Sequence, residues 1–155
     1  MKKRFFISEK ELISNKVLIL LSTYNGENYI EELLDSLLSQ TYPVDILIRD
    51  DGSSDDTCNI VLEYQRRHDN IYFISGENKG FVKSFSSLIC EKQVEQYQWI
   101  AFCDQDDVWL PRKVECAIDA LNKYKNKQIP LMYCSNLQVV DSKLKYVGKM
   151  QGSRF

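Results

Sequence analysis

Short apolar runs alternate with amphipathic segments along most of the chain. Six runs rich in apolar residues have the length of strands, at residues 17–21, 44–48, 70–74, 99–102, 131–134 and 137–140. Between them, apolar residues recur at helical spacing in residues 29–38, 55–67, 81–89 and 113–124. Strands that alternate with helices predict an α/β fold with a mostly parallel central sheet.

The pattern within the runs also predicts burial and domain organisation. Residues 99–102 are all apolar, which indicates a buried strand. In the third helix, Phe81, Phe85, Leu88 and Ile89 form one apolar stripe. The chain shows no repeat and no linker, so we expect an N-terminal extension of residues 1–15 and one domain of residues 16–155. Because no closing helix follows the last strands, we expect this domain to be a fragment.

The composition is that of a soluble globular domain, with 44% hydrophobic and 27% charged residues. A net charge of −2 lacks the basic surplus of most nucleic-acid binders, so we expect no nucleic-acid partner. No apolar run has the length of a membrane span. The basic and aromatic start of the chain leaves peripheral contact with the inner face of the cell membrane open, although a frayed terminus is the simpler explanation.

The cysteine and histidine residues argue against several kinds of site. Five cysteines without a Cys-x-x-Cys pair disfavour a disulfide framework and a structural zinc site. Cys103 falls in a predicted strand, and Cys90 and Cys116 fall at predicted helices, so we expect all three to be buried. This pattern favours a reducing, cytoplasmic location. The single histidine, His68, lies among charged residues, where we expect a surface position, so a Ser–His–Asp triad is disfavoured.

Three carboxylates crowd into four residues directly after the strand at 99–102, at Asp104, Asp106 and Asp107. Open α/β sheets bind ligands at the carboxyl ends of their strands. Carboxylates this close repel one another, and a cation bound together with substrate phosphates would relieve the repulsion, as at Mg²⁺ sites. The run therefore indicates a metal–phosphate site. The alternative is an acidic turn that caps the helix after Pro111.

Polar clusters follow each of the first four predicted strands, at residues 22–26, 50–55, 76–80 and 104–107. In a parallel sheet these strand ends meet along one edge, which makes the clusters one candidate pocket. In the first cluster, Ser22 and Thr23 offer hydroxyl contacts and Tyr24 offers a ring that can stack on a base. Capping of the first helix by residues 22–25 is an equally good explanation.

The second and third clusters also have structural alternatives. Asp50 and Asp51 can accept hydrogen bonds from a pyrimidine N–H or from ribose hydroxyls, or they can form a turn in which Gly52 takes a positive φ. Lys79 or Lys83 can meet a phosphate or can be solvated. The chain has neither a P-loop nor a Gly-x-Gly-x-x-Gly motif, which disfavours P-loop chemistry and weakens a dinucleotide-binding interpretation.

Taken in order, these motifs resemble those of family 2 glycosyltransferases of the GT-A fold. The motifs are STYNG at 22–26, QTY at 40–42, DDGSSDDT at 50–57, NKGF at 78–81 and CDQDDVW at 103–109. The last is most similar to the bacterial rhamnosyltransferase-like branch. The resemblance runs from about Lys16 to Val147. It implies a Rossmann-like, three-layer α/β/α sandwich with a mostly parallel central sheet.

The resemblance implies roles for individual residues. Asp51 matches the carboxylate that recognises the base, and Asp106 matches the direct metal ligand of the DxD motif, supported by Asp104. The ion is then Mg²⁺ or Mn²⁺. The residues expected to bind the nucleotide-sugar are Ser22, Thr23, Tyr24, Asn25, Asp50, Asp51, Asn78, Lys83, Asp104 and Gln105.

The implied reaction is an inverting transfer of a sugar from a UDP- or dTDP-linked donor to a saccharide or lipid-linked acceptor, in the synthesis of bacterial capsule or O-antigen. The general base normally lies beyond the DxD motif, and no residue after Val140 matches it. We therefore expect a donor-binding part that lacks the acceptor-binding part and transfers sugar poorly by itself. The alternatives are a non-catalytic nucleotide- or partner-binding module and, less favoured, a nucleotidyltransferase. An unfinished sheet edge leaves homo-oligomerisation open.

Overall fold

The computed structural model describes residues 13–124, 129–141 and 143–149. The chain divides into two compact units, with the boundary between Glu115 and Cys116. The first unit contains β1 (Ile13–Thr23), α1 (Ile30–Leu38), β2 (Val44–Asp50), α2 (Thr57–Arg67), β3 (Ile71–Ser75), α3 (Phe81–Ile89), a 3₁₀ helix (Lys92–Gln96) and β4 (Tyr97–Cys103), and α4 (Lys113–Asn122) spans the boundary in sequence. Every strand and helix predicted up to residue 124 is confirmed within a few residues at each end.

The order of the strands creates a switch point beside β1. The four strands are parallel, in the order β3-β2-β1-β4. The chain passes outward from β1 to β3 and then returns to place β4 on the other side of β1. Because crossovers between parallel strands are right-handed, α1 and α2 lie on one face and α3 on the other. Reversal of the strand order opens a crevice outside the carboxyl ends of β1 and β4.

The core lies around β1 and β2, which are covered on both faces. On one face, Leu18, Leu20 and Leu47 are fully buried with Leu88 of α3. The alternate side chains of the same strands are equally buried, as a doubly covered strand requires: Ile19, Leu21, Ile46 and Ile48. Each buried leucine or isoleucine side chain contributes about 1.5–3 kcal/mol. The absence of polar alternation in these two runs is therefore explained by their central position.

β4, like β3, is an edge strand, and one of its faces is only partly covered. Ile100 and Phe102 are 39% and 53% exposed, while Trp99 and Ala101, which alternate with them, are half-buried. The prediction that residues 99–102 form a buried strand is thus wrong for these two side chains. In α3, likewise, Phe81 and Ile89 of the predicted stripe are exposed, whereas Leu88 is buried as predicted and Ser84, outside the stripe, is buried with it. An apolar run does not by itself reveal whether anything covers it.

Two of the three cysteines predicted to be buried are exposed. Cys103 is buried in β4 as expected, whereas Cys90 and Cys116 are exposed. Cys90 directly follows the last residue of α3, and Cys116 lies on α4 between the buried residues Val114 and Ile118. His68 lies at the end of α2 and is partly exposed, in agreement with the sequence.

The second unit contains an antiparallel pair, β5 (Gln138–Val140) and β6 (Tyr146–Lys149). The strand predicted at 137–140 is confirmed, and β6 is one that the apolar pattern missed. The strand predicted at 131–134 is wrong: this segment pairs with no strand in the described parts of the chain, and Met132 is 87% exposed. Asp141 forms the turn between β5 and β6, because its carboxylate accepts the N–H groups of Lys143 and Lys145. No helix in the described residues has the length and apolar character needed to cross a bilayer.

Candidate functional site

A cavity of about 330 Å³ opens where the carboxyl ends of the four parallel strands meet. It receives residues from the loops after all four strands, as the switch-point topology requires. The residues that line it are Ser22, Thr23, Tyr24, Asp51, Asn78, Gly80, Phe81, Asp104, Gln105 and Asp106. The fold therefore brings the four polar clusters of the sequence into one site.

Asp50 holds the loop that follows β2 and does not line the cavity. Its carboxylate is completely buried. It accepts the backbone N–H groups of Gly52 at 3.1 Å and Ser53 at 2.9 Å, and the hydroxyl groups of Thr23 at 3.1 Å and Ser53 at 2.5 Å. Gly52 adopts the predicted positive φ, at 83°. All of these partners belong to the protein, so Asp50 stabilises the loop.

Asp51, the next residue, lines the cavity although it is only 3% exposed. Its carboxylate accepts a hydrogen bond from Nη1 of Arg49, and the backbone N–H groups of Lys79 and Gly80 donate to it at 2.9 and 2.8 Å. Burial by itself raises the pKa of Asp51, but the bonds from Lys79, Arg49 and Gly80 outweigh burial and lower this pKa below its ordinary value. The carboxylate is therefore ionised at neutral pH and can only accept hydrogen bonds.

Gln105 joins the loop after β4 to the loop after β1. The Tyr24 N–H donates to Oε1 of Gln105 at 2.8 Å, and Nε2 of Gln105 donates to the Tyr24 carbonyl at 3.1 Å. A Cβ atom at Gly26 would lie 2.7 Å from the same Oε1, so a glycine leaves room for this amide. The two bonds fix the backbone of Tyr24 while its side chain is 48% exposed. The Tyr24 ring is thus exposed at the cavity while its backbone is fixed by Gln105.

Asn25 performs a similar task between the loops after β1 and β2. Its N–H donates to Oγ of Ser53 at 2.8 Å, and its Oδ1 accepts the N–H of Ser54 at 2.9 Å. Asn25 itself has a φ of 49°, a conformation that asparagine tolerates better than most residues. α1 begins only at Ile30 and has no side-chain cap. The alternative in which residues 22–25 cap α1 is therefore wrong.

The acidic loop after β4 presents two carboxylates to the cavity. Asp104 and Asp106 are exposed, both line the cavity, and neither carboxylate has a hydrogen bond or an ion pair among the described residues. α4 begins only at Lys113, so the acidic residues do not cap it. Two carboxylates with free oxygen atoms suit a hard divalent cation that takes its other ligands from phosphate and water. The described residues contain no cluster of three or more His, Cys, Asp or Glu side chains that would hold a metal alone.

Asp107 lies outside the cavity, in a partly buried group with Trp109 and Lys113. Burial raises the pKa of Asp107 and lowers that of Lys113, and the attraction between the two charges partly opposes both shifts. Nζ of Lys113 lies 3.7 Å from the centre of the Trp109 ring. The Trp109 backbone N–H donates to Oγ of Ser36 at 3.0 Å, which attaches the end of the acidic loop to α1. These three residues therefore support the loop that carries Asp104 and Asp106.

Most of the residues predicted to bind nucleotide-sugar or metal lie together in the cavity. Three do not line it: Asn25 and Asp50 bond within the loops, and Lys83 is exposed on α3. Gly80 and Phe81 line it and were not predicted, although they complete the NKGF motif. Arg49 was also missed. The signal was present, since it is a cation in an otherwise mostly apolar strand whose residues are all buried.

Comparison with known proteins identifies the family and the fold of the chain. Residues 18–132 match the family model described as glycosyl transferase family 2. An uncharacterized glycosyltransferase of Rickettsia prowazekii is 35% identical over 136 residues, which cover 87% of this chain and 40% of the relative. The dTDP-rhamnosyl transferase RfbG of Shigella flexneri is 42% identical over 105 residues, which cover 65% of this chain and 36% of the relative. The chain thus spans about two fifths of the length of these relatives.

Two solved structures share the fold. The Staphylococcus aureus protein TarS, residues 1–349 in complex with UDP, has a TM-score of 0.60 at 24% identity, over 81% of this chain and 41% of that one. The mannosyltransferase PcManGT of Pyrobaculum calidifontis, in complex with GDP-Man and Mn²⁺, has a TM-score of 0.60 at 20% identity, over 83% of this chain and 37% of that one. The predicted GT-A fold is confirmed.

Proposed function

The chain belongs to glycosyl transferase family 2, and we propose that its cavity binds a nucleoside-diphosphate sugar together with a divalent cation. The observation that carries this proposal is the pairing, in one cavity, of a buried, hydrogen-bonded carboxylate at Asp51 with two exposed carboxylates at Asp104 and Asp106. A base needs a fixed acceptor, and a cation needs oxygen ligands with free capacity. The cavity supplies both.

The nucleotide is proposed to enter with its base at Asp51. An ionised carboxylate accepts an N–H, which uracil and thymine both present between two carbonyl groups, while Tyr24 offers an exposed ring for stacking. Ser22, Thr23 and Asn78 add polar groups along the wall. Among the similar proteins, TarS was solved with UDP and UDP-GlcNAc, and RfbG is named a dTDP-rhamnosyl transferase. These names support a UDP- or dTDP-linked donor.

A Mg²⁺ or Mn²⁺ ion would be held by Asp106, with Asp104 beside it. When bound, such an ion acts as a Lewis acid that stabilises the negative charge developing on the departing diphosphate. The residues of the chain then have distinct tasks: Asp51 orients the base, Gln105 fixes the Tyr24 backbone, and Asp106 and Asp104 provide the carboxylates next to the diphosphate. PcManGT, solved with GDP-Man and Mn²⁺, supports the use of a divalent ion.

The reaction proposed for the whole protein is an inverting transfer of the sugar to a saccharide or lipid-linked acceptor in bacterial surface polysaccharide synthesis. Inversion by direct displacement requires a carboxylate that takes the proton of the attacking hydroxyl. We assign this general base to none of the described residues. We further propose a cytoplasmic location, which the unpaired cysteines favour, with peripheral contact at the membrane, where a lipid-linked acceptor would lie.

The test is a calorimetric titration of the folded chain with UDP, dTDP and GDP, each in Mn²⁺ and in EDTA. We expect metal-dependent binding of UDP or dTDP and weaker binding of GDP. Absence of binding for all three would overturn the proposal and would favour a module without a donor site. A transfer assay with several donors and acceptors then separates binding from turnover: because no described residue is assigned as the general base, we expect this chain to bind donor without efficient turnover.

A further inference from the structure

Arg49 is a buried cation at the end of β2, and the proposed donor site gives it no task. Its side chain is only 5% exposed. The strand around it is buried at every position. A buried charge is costly unless it is paired and hydrogen-bonded, so the partners of Arg49 indicate why the strand carries it.

The guanidinium group contacts several of the segments that build the cavity. Nη1 donates to the carboxylate of Asp51 and, at 2.9 Å, to Oγ of Ser84 on α3. Nη2 donates to the Glu77 carbonyl at 3.0 Å, in the loop after β3. Oγ of Ser84 lies 2.5 Å from Oγ of Ser22, which follows Leu21 in β1 and lines the cavity. One side chain thus connects β2, the loop after β3, α3 and the end of β1.

Gly76 leaves the space that this arrangement needs. A Cβ atom at Gly76 would lie 3.0 Å from Nη2 of Arg49, closer than nine in ten real contacts of this kind. The planar guanidinium therefore fits against the backbone after β3. A lysine has one nitrogen on a flexible stem. It lacks the planar fork of donors with which Arg49 donates to both Asp51 and Glu77.

Resting on the proposed donor site, we propose that Arg49 is the positioning residue for base recognition. It keeps the Asp51 carboxylate charged and fixed at the wall of the cavity, and through Ser84 it sets the position of Ser22. Asp51 would then contact the base, and Arg49, behind it, would act only through Asp51 and Ser84.

The chemistry of Asp51 explains why a cation is needed there. Several groups share its surroundings: Asp50 and Arg49 on β2, the N–H groups of Lys79 and Gly80, Ser84 on α3, and Asp104 and Asp106 across the cavity. Arg49 is the cation among them that bonds to the carboxylate. Without it, only the N–H groups of Lys79 and Gly80 would oppose burial, so the pKa of Asp51 would rise and the protonated acid would form at a higher pH. The protonated acid presents an O–H where the base also presents an N–H. Base recognition would then weaken as the pH falls.

The experiment compares Arg49→Met with the parent in titrations of UDP or dTDP in Mn²⁺, whichever the parent binds more tightly, at several pH values. The nucleotide phosphate titrates at about pH 6 in all variants, so it cancels in the ratio of dissociation constants. We expect Arg49→Met to bind more weakly, with a ratio that grows about tenfold per pH unit once Asp51 protonates. Arg49→Lys should restore a flat ratio while binding severalfold more weakly than the parent. Arg49→Met combined with Asp51→Asn should also give a flat ratio.

Circular dichroism establishes which variants fold, and Arg67→Met is the matched control, because Arg67 is an exposed arginine on α2. If Arg49→Met does not fold, Ser84→Ala carries the test: the proposal requires severalfold weaker nucleotide binding, and parent-like affinity contradicts it. A folded Arg49→Met with the affinity and pH profile of the parent would overturn the role of Arg49 alone. Failure of the folded parent to bind would instead overturn the proposed function.

Discussion

The two acidic segments at the cavity are alike in sequence, but their carboxylates differ in burial and in hydrogen bonding. After β2, Asp50 and Asp51 are buried, and protein groups donate to both carboxylates. After β4, Asp104 and Asp106 are exposed, and no described residue bonds to either carboxylate. The strands explain the difference. β2 is covered on both faces, so its end is enclosed, whereas β4 lies at the edge of the sheet and one of its faces is only partly covered.

The contrast distinguishes carboxylates that stabilise the protein from carboxylates that are free to bind a ligand. A carboxylate whose oxygens are already bonded to the protein is held in one place and keeps little capacity to accept more, as at Asp50. A carboxylate without protein partners has its full capacity free for a cation. Asp51 stands between these states, since it is bonded to the protein and still reaches the cavity wall. Four experiments test this difference between the two loops.

The largest effect is expected from Asp51→Ala. This change leaves Arg49 buried without its charged partner, which costs about 3–5 kcal/mol in the free energy of unfolding. Urea unfolding measures it, and Glu63→Ala is the control, because the Glu63–Arg67 pair is exposed and contributes at most about 1 kcal/mol. Nucleotide binding should weaken with and without metal. A loss of stability no larger than in the control would show that the buried Arg49–Asp51 pair does not stabilise the fold.

Asp106→Asn should affect binding and leave stability unchanged. Loss of one charged ligand should weaken metal-dependent nucleotide binding by about ten- to a hundredfold. The free energy of unfolding should stay within about 0.5 kcal/mol, as at other exposed positions. Asp69→Asn, at an exposed aspartate on another surface, is the matched control for charge. Equal binding by the parent and by Asp106→Asn would remove the metal site from the loop after β4.

A smaller difference between the two loops is expected in the dependence of the free energy of unfolding on acid pH. The pKa of Asp51 is lowered in the folded chain from its usual value of about 3.8, so its contribution to stability is complete above that pH and is lost as the pH falls below it. Each additional proton bound on unfolding changes the free energy of unfolding by about 1.4 kcal/mol per pH unit. In acid unfolding curves, Asp51→Asn should lack this part of the slope, and Asp106→Asn should retain it. Identical slopes in both variants would contradict the assignment.

The smallest effect is expected from Lys83→Ala. Lys83 is exposed on α3 and does not line the cavity, so nucleotide affinity should change by less than about threefold, well under 1 kcal/mol. The same titration used for Asp106→Asn measures it, with Lys123→Ala, directly after α4, as a control at another exposed lysine. A tenfold loss in Lys83→Ala alone would show that α3 contributes a phosphate contact that the cavity lining does not include.

The sequence predicted the fold of the first unit well because its signals are local. The apolar runs of β1 and β2 and the helical spacing of α1 follow directly from burial on both faces. Whether another element packs over an apolar run depends on residues distant in sequence, and the predictions that required this information failed. The run at 99–102 is as apolar as a central strand, yet Phe102 is 53% exposed, because β4 lies at the edge of the sheet, where the contact with Phe85 of α3 covers this face only in part. The apolar segment at 131–134 likewise found no strand to pair with among the described residues.

The candidate site was predictable where motifs follow strands and obscure where it depends on distant contacts. Ser22, Asp51 and Asp106 reach one cavity because parallel strands bring their carboxyl ends together. The role of Arg49 depends on Ser84, which lies 35 residues away in sequence, and no local pattern reveals that pairing. The different roles of Asp50 and Asp51 are equally hard to predict from the sequence. Successive side chains at the end of a strand point to opposite faces, so the two carboxylates meet different surroundings.

The most direct test of the contrast between the loops is the ratio of nucleotide dissociation constants in EDTA and in Mn²⁺, measured by calorimetry for the parent and for Asp106→Asn. The parent should bind at least about tenfold more tightly in Mn²⁺, and Asp106→Asn should lose this gain while retaining the affinity seen in EDTA. A parent that binds equally in both conditions, or an Asp106→Asn variant that keeps the full gain, would contradict the assignment of the exposed carboxylates to a metal-bound diphosphate.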